Sequence, residues 1–300
     1  MKIVLLGSKG QVGWELQRSL APLGELVALD RGRGADGRGG DLGEPEQLAA
    51  TVRSLRPDVI VNAAAYTAVD RAESEPGQAA LVNGAAPGAL AREAAALGAW
   101  LVHFSTDHVF DGSGRQPRGE DAPTGPLNAY GRSKLDGEER IRASGCRHLI
   151  LRTSWVYAAR GNNFVRTMLR MAAELERLAV ADDQVGAPTG AELVADVTAH
   201  VLRRAHDRPD LSGTYHLAAS GEVSRHGYAS FVVECARARG HPLKATPADV
   251  EPVPSSTFAT AARRPLNSRL ATVRLRRAFD IALPPWQTGI ERVIAELLGA

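Results

Sequence analysis

Ile3-Val4-Leu5-Leu6-Gly7-Ser8-Lys9-Gly10-Gln11-Val12-Gly13 is the stretch on which the reading of this 300-residue chain turns. Four apolar residues run into a G-x-x-G-x-x-G turn, followed by the helix-compatible pattern Gln11 to Leu23. Glycines at these spacings let a backbone turn tightly, approach a pyrophosphate closely and pack a helix against a sheet, while the helix N-terminus offers unpaired N–H groups and a positive dipole. A plain tight strand-to-helix turn would be written in the same letters, so the surroundings have to decide.

Further along, short apolar runs alternate with helical patterns. Ile3 to Leu6, Glu25 to Asp30, Val59 to Ala64, Leu101 to Thr106 and Leu149 to Ser154 read as five strands. Most are continuously apolar, which fits parallel strands covered on both faces. Gln11 to Leu23, Pro45 to Leu55, Ala79 to Leu97 and Tyr130 to Ala143 read as the intervening helices, the last capped by Asn128. The alternation predicts an α/β fold, a Rossmann-like doubly wound parallel sheet over residues 1–157. After residue 157 the alternation loosens, with helices expected at Asn163 to Leu175, Ala191 to His206, Arg225 to Arg239 and Gln287 to Leu298. Residues 158–300 are therefore expected to form a smaller C-terminal substrate-binding α/β region, lending a strand near 214–218 back to the sheet. Pro242 to Pro265, with Pro247, Pro252 and Pro254 inside it, reads as loop.

Composition narrows the function classes. Hydrophobic residues make up 44% and charged residues 23%, as in an ordinary globular protein, and the net charge is only +2 with the basic residues scattered. No electrostatic footprint of a nucleic-acid or membrane-surface binder results. Cys146 and Cys235 have no second pair, which argues against a disulfide framework, and the apolar start before Gly7 is too short for a secretory signal. A cytoplasmic setting is expected. Of 36 basic residues only Lys2, Lys9, Lys134 and Lys244 are lysine, so each lysine invites the question of why arginine does not serve.

The second strand ends in Asp30, where a carboxylate could accept from the hydroxyls of an adenosine ribose. Arg31 and Arg33 follow and could meet a 2′-phosphate, so NADPH and NADH both remain open. Asp41-Leu42 falls where an adenine would be flanked. Ala63-Ala64-Ala65 offers small residues where a cofactor backbone would pass, or simply helix–sheet packing.

Tyr130 and Lys134 lie at i and i+4 of a predicted helix and so share one face. A phenol ionises near pH ~10; a lysine ammonium beside it, with an oxidised nicotinamide, would bring proton transfer towards neutral pH. Arginine hardly deprotonates and would serve less well. Thr106 ends the neighbouring strand with a hydroxyl placed for a carbonyl oxygen.

With the glycine turn, Thr106, Tyr130 and Lys134 resemble the active set of the extended short-chain dehydrogenase/reductase superfamily. Gly10 to Leu16, Arg56 to Ala65, Ala72-Glu73, Ser105-Thr106-Asp107 with Val109-Phe110, Arg152 to Tyr157, Gly161 to Phe164, Asp183-Gln184 with Gly186 to Thr189, and Arg264-Pro265 with Asn267-Ser268 resemble its dTDP-4-dehydrorhamnose reductase branch. The resemblance implies hydride transfer from NADPH or NADH to C4 of a dTDP-linked 4-keto-6-deoxy sugar, giving dTDP-L-rhamnose for cell-surface polysaccharide. It implies Tyr130 as proton donor, Lys134 as ribose ligand and tuner of Tyr130, and Thr106 as the group orienting the carbonyl. Gly7, Gly10, Gln11, Val12, Asp30, Asp41, Leu42, Ala63, Ala64, Ala65 and Phe104 would line the cofactor, with Tyr130 and Lys134. Thr106, Asp107 and Trp155 would meet the sugar nucleotide, although Trp155 could equally fill core. Arg263 and Arg264 could be a solvated surface pair or could hold the substrate diphosphate. Some members hold magnesium at a dimer interface through three glutamates; the corresponding positions are Glu15, Glu192 and Glu296. A homodimer is thus left open, as are two other functions: a nucleotide-sugar epimerase or dehydratase, and a non-catalytic subunit like the β subunit of methionine adenosyltransferase. Against a dehydratase, Asp107 is followed by His108 where an acidic pair would be wanted.

Overall fold

A computed structural model describes residues 1–32 and 38–299; Arg33 lies outside them. The five expected strands form as β1 (Lys2–Leu6), β2 (Glu25–Leu29), β3 (Val59–Asn62), β4 (Trp100–Thr106) and β5 (Arg147–Thr153). The strand Gly213–His216 joins them beside β5. The six-stranded order is Gly213–His216, β5, β4, β3, β1, β2, and every neighbouring pair is parallel. This is the doubly wound sheet that the apolar runs predict.

Alternation along β1 explains its unbroken apolar sequence. Ile3 and Leu5 enter a core with Leu16 and Leu20 of α1 (Gln11–Leu20) and with Val194, Val201 and Leu202 of the helix Ala191–Ala205. Val4 and Leu6 face the other way, onto Leu48, Val52 and Leu55 of α2 (Pro45–Leu55) and Leu90 and Ala94 of the helix Ala86–Leu97. All four strand residues are fully buried. Each contributes about 1.5–3 kcal/mol relative to exposure. A strand with a core on both sides has no reason to alternate polar and apolar residues.

Sequence and structure differ in places that have physical causes. The first helix ends at Leu20, where Pro22 forces a short 3₁₀ turn over Ala21–Leu23. The helix expected from Ala79 is three pieces: Pro76–Ala80, a π turn over Leu81–Ala85, and Ala86–Leu97 with Pro87 in its first turn. The loop-like stretch from Pro242 to Pro265 contains a strand, Val250–Val253, paired in parallel with Leu178–Ala181. A second core lies beyond the sheet, where Tyr157, Tyr228, Val232, Trp286 and Ile290 are buried together. No helix among the described residues is long and apolar enough to cross a membrane.

Candidate active site

β1 pairs with β2 on one side and β3 on the other, so a crevice opens at their C-terminal ends, where doubly wound sheets hold ligands. Gly7 occupies it with φ +80°, and a Cβ there would stand 2.7 Å from the Ala64 nitrogen. A Cβ on Gly13 would stand 2.0 Å from the Gly7 carbonyl oxygen. No side chain caps α1 at Gly10, which leaves the first-turn amides of Gln11 and Val12 open to an anion. These features fit a dinucleotide pyrophosphate. Gln11 is tied to the loop before the helix Phe164–Glu174, accepting from Asn163 Nδ2 at 2.9 Å.

Just after β2, Asp30 pairs with Lys9 and accepts from the Gly32 amide at 2.8 Å. The Lys9 hydrogen bond, then the Gly32 amide, hold its carboxyl below the usual range. Arg31 is exposed. Beyond lies a cavity of about 40 Å³ between Arg31, Gly39, Asp41, Glu44, Gln47 and Leu48. Asp41 accepts from the Gly43 amide at 2.9 Å, whereas Leu42 is 3% exposed and packs into the sheet core.

Tyr130 and Lys134 sit on the helix Ala129–Ala143, whose cap is Asn128, accepting from the Gly131 amide at 2.8 Å. A Cβ on Gly131 would stand 2.2 Å from the His108 carbonyl oxygen, so glycine here lets the helix close against the turn after β4. The Tyr130 ring packs edge-on against His108 with centroids 5.4 Å apart. Burial pushes its phenol up to about 12, the Thr106 hydroxyl pulls the other way, and the Asp107 charge adds to the rise. Lys134 is 2% exposed, donates to the Phe104 carbonyl at 2.6 Å and lies 3.1 Å from His103 Nε2. Burial lowers its ammonium to about 8, against the opposing pull of Glu138. In this structure the Lys134 amine is engaged with β4, and desolvation governs the Tyr130 phenol.

Thr106 donates to Asp107 Oδ1 at 3.0 Å and accepts from the His108 amide at 3.1 Å. Asp107 Oδ2 is buried without a hydrogen-bond partner among the described residues. An orphaned buried acceptor of this kind marks a place for a ligand donor. Trp155 follows β5 with φ +50°, its ring stacked on Tyr228 at 6.2 Å and covered by the Arg225 guanidinium at 3.7 Å. Arg264 pairs with Asp70 at 2.5 Å, and its charge reaches both His108 and Arg225. Asn128 Nδ2 donates to the Arg263 carbonyl at 2.7 Å, which ties this late loop to the Tyr130 helix.

Over residues 1–298 the sequence matches the family described as RmlD substrate binding domain. The chain belongs to that family. Its relatives include the dTDP-4-dehydrorhamnose reductase of Escherichia coli (strain K12), 53% identical over 297 residues, 99% of this chain and 98% of the relative. The dTDP-4-dehydrorhamnose reductase of Burkholderia thailandensis is 47% identical over 302 residues, 99% of each chain. Among solved structures, dTDP-4-dehydrorhamnose reductase from Bacillus anthracis str. Ames, in complex with NADP, shares 32% identity at a TM-score of 0.86, covering 98% of this chain and 99% of that one.

Within this RmlD-family chain, the three glutamates expected to hold magnesium feel one another's charge. Burial raises the Glu15 carboxyl, and the negative charges of Glu192 and Glu296 add to the rise. Yet Glu15 faces Arg18 at 3.8 Å and Glu192 pairs with Arg292 at 3.0 Å. No group of three His, Cys, Asp or Glu among the described residues could hold a metal ion. Two polar residues at the site went unread in the sequence. His103 looked like part of an apolar strand; a histidine inside Trp100–Thr106 was the available signal. Arg225 opens a helix after its Ser224 cap and carried no signal at all.

Proposed function

We propose that this chain is an NAD(P)H-dependent oxidoreductase that reduces the C4 ketone of dTDP-4-dehydro-6-deoxy-L-mannose to dTDP-L-rhamnose, the closing step in making that sugar nucleotide for surface polysaccharide in the cytoplasm. The observation that carries the reading is convergence: Thr106, Tyr130 and Lys134 meet at the strand ends beside a glycine cradle that a Cβ would fill. Full-length identity to dTDP-4-dehydrorhamnose reductases supports the substrate.

Gly7, Gly10, Gln11, Val12, Ala63, Ala64 and Ala65 would cradle the pyrophosphate, with Asp30, Asp41 and Leu42 towards the adenosine and Phe104, Tyr130 and Lys134 towards the nicotinamide. When bound, the reduced nicotinamide supplies the hydride. Tyr130, a phenol protonated at neutral pH and held more firmly so by burial, gives its proton to the C4 oxygen. Thr106 orients that oxygen. Asp107 offers its orphaned Oδ2 to a sugar hydroxyl, and Trp155, with Arg225 lying over its ring, would border the sugar nucleotide. Arg225, Arg263 and Arg264 supply positive charge for the substrate diphosphate. Residues 158–300 are assigned mainly to the substrate. No step is assigned to a metal.

The test follows NADPH and NADH absorbance while dTDP-4-dehydro-6-deoxy-L-mannose is offered to the folded protein. Oxidation of either cofactor is expected, and oxidation of neither refutes the assignment. Tyr130→Phe should lower kcat at least about 100-fold, the scale of positioned acid catalysis, with cofactor affinity retained; near-normal turnover would remove Tyr130 from the mechanism.

A further inference from the structure

A run of buried hydrogen bonds links the phosphate cradle to Lys134. The Ala64 amide, pressed against Gly7, donates to Asn62 Oδ1 at 3.2 Å. That bond fixes which way the Asn62 amide faces, because its oxygen is already the acceptor and its nitrogen is left to point the other way. Asn62 Nδ2 lies 3.1 Å from His103 Nδ1, which must then be the unprotonated ring nitrogen. His103 is fully buried, and burial, with the Lys134 charge adding, holds its imidazole well below the usual range. The ring is therefore neutral and carries its one proton on Nε2. Nε2 lies 3.1 Å from Lys134 Nζ.

An ammonium group has three N–H donors and no lone pair, so it would meet this Nε2–H head-on. An uncharged amine satisfies both neighbours: one N–H goes to the Phe104 carbonyl and the lone pair accepts from His103. We propose that His103 is a positioning residue for Lys134, its tautomer fixed by Asn62 so that its Nε2–H biases the lysine towards the uncharged amine. The proposal rests on the role assigned to Lys134 above and deepens it. Under it, whenever Lys134 is protonated its ammonium sheds that proton readily, and His103 donates to the lone pair left behind.

The charged surroundings of Lys134 do not duplicate this effect. From its own helix, Glu138 favours the ammonium, but that carboxylate is taken up by Ser105 of β4, Arg152 of β5 and Arg142. From β4 comes His103 and, from the turn that follows it, nearer Tyr130, Asp107. β3 contributes only the neutral Asn62.

With four lysines in the chain, the titration can be read directly from the full-length protein carrying ¹³Cε-labelled lysine. Lys134 is the signal lost in Lys134→Arg. The Lys134 signal should titrate at about 8. In His103→Gln the side-chain amide is free to turn its oxygen to Nζ, and in Asn62→Ala the imidazole is free to turn its lone pair there. Either change should lower the Lys134 acid dissociation constant about tenfold, moving its midpoint up by about one pH unit. Burial alone would leave the midpoint where it is, and an unmoved midpoint in both folded variants overturns the proposal. In the unaltered chain, ¹⁵N shifts of the His103 ring should report a protonated Nε2. A protonated Nδ1 overturns it however the variants fold. Because none of these readouts is turnover, a protein inert towards the keto sugar would fail the proposed reaction while leaving the His103–Lys134 result to stand or fall separately.

Discussion

Lys9 and Asp30 face each other at the mouth of the phosphate turn, and their pairing changes what Asp30 offers a cofactor. A free carboxylate at the end of β2 suits two ribose hydroxyls and repels a 2′-phosphate. Offset by Lys9, with Arg31 exposed alongside, the same carboxylate would repel a 2′-phosphate less. Lys9→Ala should therefore cut kcat/KM for NADPH about fivefold relative to NADH, the scale of one unit charge in surface surroundings. Steady-state kinetics with both cofactors at low salt would measure it, and an unchanged ratio would separate the pair from the ribose site. The four lysines thus find distinct surroundings: Lys9 on Asp30, Lys134 against β4, Lys2 beside Glu25 at 3.7 Å, and Lys244 donating to the Glu174 carbonyl at 3.1 Å. Single residues were legible where chemistry restricts the side chain, as with Tyr130, Lys134 and Thr106. They were illegible where the role arises only from neighbours brought in by folding. His103 depends on Asn62 and Lys134, 41 and 31 positions away.

Elements show the same division. The strands of the sheet could be read because a strand buried on both faces has to be apolar throughout, and that pattern survives in a single sequence. Val250–Val253 could not, because Pro252 within it and Pro254 after it look like loop; it pairs with just one neighbour, so Pro252 removes no N–H from a central ladder. The start of the Tyr130 helix was legible from Asn128, whose side chain accepts from a first-turn amide, as those of Asn163 and Ser224 do in their own helices. What the letters could not tell is which glycines are obligatory. Gly13 lies inside α1, where an added Cβ would stand 2.0 Å from the Gly7 oxygen; Gly77 lies in the short helix Pro76–Ala80 with nothing within 4 Å of its added Cβ. The two should respond to alanine with opposite signs. Gly13→Ala should push α1 off the cradle and weaken NADPH binding at least about tenfold, as expected where backbone approach sets the site. Gly77→Ala should stabilise the fold by about 0.5–1 kcal/mol and leave binding alone. Fluorescence titration and thermal melts of the two variants decide it, and equal behaviour would disconnect Gly13 from the phosphate turn.

At the scale of the whole molecule, the first core is not confined to the first half of the chain. Ile3, Leu5, Leu16 and Leu20 share it with Val194, Val201, Leu202, Tyr215, Leu275, Phe279 and Leu283. The Gly213–His216 strand completes the sheet edge beside β5, so the segment that binds the substrate in our proposal also covers one face of the cofactor sheet. A chain ending after Tyr157 would leave that face bare, exposing an apolar surface that no isolated domain sustains. The second core is separate from the first in its residues, but Leu193 of the helix Ala191–Ala205 packs against both. Unfolding should therefore be a single cooperative transition in calorimetry, with no stable fragment corresponding to residues 1–157. A ligand that binds only the folded state shifts that transition as a whole, so NADPH at 100 times its Kd should add about 2.7 kcal/mol to the unfolding free energy of the entire chain. Two resolved transitions, of which NADPH moves only one, would mean that the cores fold independently and that the shared helix does not couple them. One transition that moves intact is the outcome expected of a sheet whose covering helices come from both ends of the sequence.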